Sequence, residues 1–137
     1  MLRGFLEDQQ GRLVEDALTL PVLLLVALAL VNMFQVGMAD LVAQNAAHYG
    51  ARMGAVAQQN SVAIAKAAAQ SRISQVHSTG IQFQVSVQAD NRRGSVVVVH
   101  VTYRVPNYFA GLSSMMGVNM PQWIEGHAEG RFRHEGW

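Results

Sequence analysis

Two adjacent carboxylates, Glu15 and Asp16, stand directly before the longest apolar run of the chain, Ala17 to about Val36. Their chemistry is electrostatic and not catalytic. A carboxylate drawn into a bilayer costs about 2.5–3.5 kcal/mol unless it is paired. Acids at the mouth of such a run therefore either find a cation or stay at the headgroup level, where they favour a helix N-terminus through its dipole. The residues alone leave both readings open for either acid.

The five histidines are His48, His77, His100, His127 and His134, and none forms H-E-x-x-H or another metal-ligand spacing. His100 and His127 fall on polar faces of predicted strands, where a surface cross-strand role is expected. The chain has no cysteine, which excludes disulfides and thiolate metal sites. No nucleophile elbow, P-loop or dinucleotide fingerprint is present, because Gly50-Ala51-Arg52-Met53-Gly54 lies within a helical stretch. The expectation is a protein that is no enzyme, with no catalytic, cofactor-binding or metal residues. A net charge of +1 gives no electrostatic footprint for nucleic acid.

The elements that must hold these residues follow from pattern. The uncharged run from Ala17 is long enough, at about 20 residues, to cross a bilayer core of about 30 Å as a helix. Its mixed-charge start and the lack of an A-x-A site after it favour a retained anchor over a cleaved signal peptide. Residues 1–11 read as a short polar leader. Residues 12 to about 76 read as one long helix rich in Ala, Leu, Val, Met and Gln. It divides into a membrane-spanning half, 12–38, and an outer half, 39–76. Pro21 cannot donate to the carbonyl of Ala17, so a kink is expected there. Asn32 and Gln35 lie on the outer part of the span and are expected to reach the interface.

Past the span the helix becomes rich in small residues. Gly50 and Gly54 form a small-xxx-small pair that permits close helix packing. The pair suits either the chain's own sheet or a helix of another subunit.

Residues 77–137 read as a small antiparallel sheet domain. Ile81, Phe83, Val85 and Val87 alternate with polar residues, as do Val97, Val99, Val101, Tyr103 and Val105. A third strand alternates Ile124, Gly126, Ala128, Gly130 and Phe132 with charged residues. Its Gly/Ala face leaves room for a bulky neighbour, and the long helix is the candidate. Between the last two strands, Leu112, Met115, Met116, Val118, Met120 and Trp123 form an apolar loop cluster, expected to lid the small core or to meet a partner. The fold class is therefore α+β, a Pro-kinked transmembrane helix packed on a three-stranded antiparallel sheet.

This order of features resembles the type IV pilin plan, and more closely the TadE-like pseudopilins of tight-adherence (Tad) pilus systems. Val14-Glu15-Asp16-Ala17-Leu18-Thr19-Leu20-Pro21 is similar to that family's V-E-F-A-L-x-x-P start, and Gln44-Asn45-Ala46-Ala47-His48-Tyr49-Gly50-Ala51-Arg52 to its Q-N-A-A-R-x-G-A-R segment. Val101-Thr102-Tyr103-Arg104-Val105-Pro106 also fits. The resemblance implies a membrane-anchored minor pilin or pseudopilin that takes part in filament assembly. It also implies a single pass through the inner membrane, N-terminus in the cytoplasm and sheet domain in the periplasm or outside. Implied partners are a major pilin, sister pseudopilins, an assembly platform, a cytoplasmic assembly ATPase and a prepilin peptidase, with homo- or hetero-oligomers formed through the long helix.

The family's leader is cut after a Gly to leave Glu as the fifth mature residue, which points to Gln10, Gly11 and Arg12. Here a cut after Gly11 makes Asp16 fifth, and a cut after Gln10 makes Glu15 fifth. The acid so placed would pair with a neighbouring subunit's new α-amine and set subunit register. The alternative is an unprocessed single-pass protein whose small domain binds an envelope partner.

Overall fold

The computed structural model describes residues 2–76, 80–90 and 92–135, with side chains from Ala17 onward except that of Leu18. Helix α1 runs Leu2–Val56 and α2 runs Ser61–Ser74. Three strands follow, β1 (Gln82–Gln88), β2 (Val96–Pro106) and β3 (Trp123–Arg133), with the short helix α3 (Phe109–Met115) between β2 and β3. The sheet is antiparallel in the order β1-β2-β3, so β2 is central.

Two differences from the sequence reading stand out in the helical half. The helix begins at Leu2, within the polar leader. It also ends at Val56 instead of continuing to residue 76. The break at Ala57–Asn60 contains no proline. It turns on Asn60, which sits in the left-handed region at φ 55° and ψ 40°, a conformation that Asn tolerates better than most residues. The chain then folds back as a helical hairpin.

Gly50 and Gly54 are the reason the hairpin closes so tightly. A Cβ at Gly50 would lie 2.8 Å from the Ala65 carbonyl oxygen and 2.9 Å from the Ala69 Cβ. One at Gly54 would lie 2.7 Å from the Ala65 Cβ and 3.0 Å from Val97 Cγ1. The partner sequence descends from Ala69 to Ala65 as α1 ascends, which is the antiparallel hairpin geometry. Arg72 adds a cation–π contact, its guanidinium 4.2 Å from the centre of the Tyr49 ring.

Both helices cover one face of the sheet, α1 lying over β2 and β3 and α2 nearer β1. The core is made of small helix residues against branched strand residues. Ala39, Ala43, Ala46, Ala47, Ala51 and Ala55 meet Val97, Val99, Val101 and Val105, all buried. Complete burial of each valine is worth about 2 kcal/mol. Gly130 lets the helix backbone touch the strand, since a Cβ there would run into the Ala47 carbonyl oxygen. Gly126 makes room in the same way for the Tyr103 ring.

The lengths of the two halves match. From Asn32 to Gly54, α1 rises about 33 Å, and from Val97 to Asn107 the chain descends about 33 Å beside it. The β2 end at Pro106 thus returns to the level of Asn32, where α1 leaves the domain.

Candidate functional site

From Thr19 to Val31, α1 carries exposed side chains apart from half-buried Leu28. Leu20, Val22, Leu23, Leu24, Val26, Leu30 and Val31 all face outward. The uncharged apolar stretch that begins here runs past Val31, and as a whole α1 is long and apolar enough to cross a membrane. The candidate site is this bare helix, the acids before it, and the collar at which the sheet domain takes hold of it.

The collar is built from amides. Asn32 is 5% exposed, and its Nδ2 donates to Asn107 Oδ1 at 3.3 Å. One turn on, Gln35 Nε2 donates to the Tyr108 hydroxyl at 3.1 Å. Asn107 is the hub. Its Oδ1 also accepts from the Phe109 N–H, which starts α3, and its Nδ2 donates to the Pro121 carbonyl. Its own N–H donates to the Gln122 carbonyl, which fixes the approach to β3. Asn32 and Gln35 therefore do not simply reach for the interface. They hold the corner after β2, and polar side chains on an apolar helix gain from such pairing because lipid offers them no partner.

A second polar clasp lies two turns outward. The Tyr103 hydroxyl donates to Asp40 Oδ1 at 3.3 Å, and Gln44 Nε2 donates to Asp40 Oδ2 at 2.7 Å. Burial first, and then the charge of Asp40 and the hydrogen bond to it, push the Tyr103 hydroxyl above its ordinary pKa.

At the far end of the domain the residues just after β3 cap the helix. The Glu135 N–H donates to the Ala55 carbonyl at 3.0 Å, and His134 Nε2 lies 2.9 Å from the Ala57 carbonyl. Beside the hairpin, Asn45, His48, Tyr49, Arg52, Arg72 and Phe132 line an open cleft of about 390 Å³.

The outer face of the sheet carries paired charges. His100 lies 3.6 Å from Glu129, and Arg104 lies 2.8 Å from Glu125. Arg131, hydrogen-bonded to Glu129, holds that carboxyl below the ordinary range. Among the described residues, no group of three or more His, Cys, Asp or Glu could hold a metal.

The predicted site residues fall in three groups. Gln10, Gly11, Arg12, Glu15 and Asp16 lie on the α1 backbone, but their side chains fall outside the described residues, as does His77 altogether. Pro21 sits within the bare helix. Gly50 and Gly54 are buried under α2 of the same chain. The apolar loop does not form a lid: Met115 is 86% exposed and Met116 78%. Sequence reasoning missed Asn107 and Tyr108. The Pro106-Asn107 strand end was a visible signal, but its partners on α1 were not.

Neither a curated relative nor a solved structure matches this chain. A family model described as TadE-like protein matches residues 13–52. That stretch runs from the acids through the apolar run and the collar residues Asn32 and Gln35 to Arg52 at the cleft. Over this part of its length, under a third of the whole, the chain is similar to the TadE-like family.

Proposed function

We propose that this protein is a membrane-anchored minor pilin or pseudopilin that takes part in assembling a Tad-type pilus or a related secretion filament. The observation that carries this reading is the division of α1. From Thr19 to Val31 it is a bare apolar helix and from Asn32 onward it is the spine of a small α+β domain, with the TadE-like match running across the junction. A bare span with an attached head lets a subunit wait in the inner membrane and later pack its helix among others.

In this reading the N-terminus faces the cytoplasm and the head faces the periplasm or exterior. The leader ends near Gly11, and Glu15 or Asp16 pairs with the amine of a neighbouring subunit. That pairing offsets the cost of a carboxylate near the bilayer and sets register. Pro21 provides a bend point early in the span. Partners are a major pilin, sister pseudopilins, the assembly platform and its ATPase, and a prepilin peptidase. With Gly50 and Gly54 occupied by α2, the bare apolar segment is the part of α1 left for close packing with other subunits' helices.

Intact mass and N-terminal sequencing of the protein from native membranes test this. A mature chain starting at Gly11 or Arg12 is expected, and it identifies the acid that becomes fifth. A chain starting at Met1 removes the register mechanism and favours an unprocessed anchor with a binding head.

A further inference from the structure

The bare helix is too short for the membrane it would cross. Glu15 and Asp16 bound the apolar run on one side. From Ala17 to Val31, the last residue before the collar, α1 rises only about 22 Å, short of the ~30 Å hydrocarbon core. The run does not stop at the collar, however. Met33 and Phe34, on the helix surface at the level of Asn32, are 76% and 69% exposed, and the uncharged stretch continues to Val36. With one edge at Glu15 and Asp16, a 30 Å core reaches about Val36. The collar then lies inside the outer leaflet.

The segment that the collar holds has the composition this position demands. From Pro106 to Trp123 there is no Asp, Glu, Lys, Arg or His. Met115, Met116, Val118 and Met120 are exposed. Tyr108 and Trp123, also exposed, bracket the segment, and such amphipathic rings favour the headgroup level. The polar side chains at its root bond to one another across the collar. An exposed methionine patch in water has no such justification.

We infer that α3 and the loop after it form an apolar foot that dips into the outer leaflet beside α1. Its partner is the lipid surface, and the foot uses no charge to bind it. The foot gives the head a second point of contact, so that the head is held at a fixed height and rotation on its stalk. This rests on the membrane-anchor reading of α1, and the experiment separates the two.

The chain has no cysteine, so single labels can be placed cleanly. The full-length variants Leu24→Cys, Met115→Cys, Met116→Cys and Gln88→Cys, each carrying an environment-sensitive fluorophore, are reconstituted one chain per phosphatidylcholine nanodisc. Lipids bearing a doxyl quencher at a shallow or a deep position are then included. The expected result is deep quenching at Leu24 and blue-shifted emission with shallow quenching at Met115 and Met116. Gln88, whose partner Val98 lies at the far end of β2, should show no quenching. Adding anionic lipid should leave the pattern unchanged. If Leu24 is quenched while Met115 and Met116 stay as water-accessible as Gln88, the foot is wrong and the anchor stands. If Leu24 is not quenched either, both readings fall.

Discussion

Asn32, in the apolar segment of α1, donates a hydrogen bond to Asn107 at the end of β2, across 75 positions of sequence. The two ends of this bond are not equivalent. Asn32 contributes one side-chain hydrogen bond and keeps a buried Oδ1 without a partner. The Asn107 side chain serves Asn32, the Phe109 N–H and the Pro121 carbonyl together. A hydrogen bond is worth about 1 kcal/mol net, and buried groups left unpaired cost about 1–3 kcal/mol. Asn32→Leu also removes its own unpaired oxygen, so a loss below about 1 kcal/mol is expected. Asn107→Ala should cost about 2–3 kcal/mol, since three bonds go and α3 loses its anchor. Chemical denaturation of the detergent-solubilised protein orders the two, and equal effects would contradict the hub assignment.

Glycines along the helical spine separate into those that a methyl group can join and those that it cannot. At Gly130 the new Cβ would meet backbone, the Ala47 carbonyl, which has nowhere to go. Gly130→Ala should cost upwards of about 3 kcal/mol by forcing the helix off the sheet. At Gly37 a Cβ meets nothing within 4 Å. Gly37→Ala should instead stabilise by up to about 1 kcal/mol through helix propensity. Opposite shifts in thermal midpoint are the readout.

Gly50→Ala tests the hairpin more locally. The methyl group would press on the Ala65 carbonyl and on the Ala69 Cβ, at a cost of about 1–3 kcal/mol. Hydrogen exchange should speed up in α2 before it does so in β2, because α2 alone is displaced.

How much of this was visible in the sequence depends on how local each cause is. The alternation from Val97 to Val105 is a local rule, and each of its five inward residues is buried. The Gly126, Ala128 and Gly130 face also announced close neighbours: at Gly130 the neighbour is α1, and at Gly126 it is the Tyr103 ring of β2. The helix break was not legible, because Gln58 and Gln59 suit a helix and the turn depends on α2 gaining contact with Gly50 and Gly54. The collar was hidden for a similar reason. Asn32 and Gln35 look like residues heading for water until Asn107 and Tyr108 arrive from the far end of β2. The apolar loop is visible in composition, but only its attachment at the collar says which way it faces.

The Tyr103–Asp40 clasp predicts alkaline sensitivity. The folded protein holds the Tyr103 proton more tightly than the unfolded chain, whose tyrosine keeps the ordinary value of 10.0. The folded state therefore binds more protons in the window between that value and the raised one, and stability falls as pH climbs through it. Below the ordinary value the contribution is fully present. Tyr103→Phe removes the ionisable group together with one hydrogen bond to Asp40. It should cost about 0.5–1.5 kcal/mol near neutral pH and flatten the decline above about pH 10. Denaturation midpoints of the two proteins across that range should converge as pH rises. A constant gap would mean that Tyr103 ionises no differently in the folded state.

The residues just after β3 supply the last prediction. α1 ends with carbonyls that its own amides cannot satisfy, and two of the acceptors at this end, on Ala55 and Ala57, take their partners from Glu135 and His134. His134 is buried there, and its backbone pairs with Ser95 and Gly94 across the β1–β2 turn. His134 thus ties two places together, its ring to the end of α1 and its backbone to the turn that leads into β2. His134→Ala should leave the Ala57 carbonyl without its partner and open a cavity, costing about 1–3 kcal/mol. The loss should appear as faster exchange at the α1–α2 turn and in the first residues of β2, while the collar at Asn32 and Asn107, about 33 Å away along the helix, keeps its protection. Uniform loss across both ends would mean that the head opens as one unit, with no separate clasp at its tip.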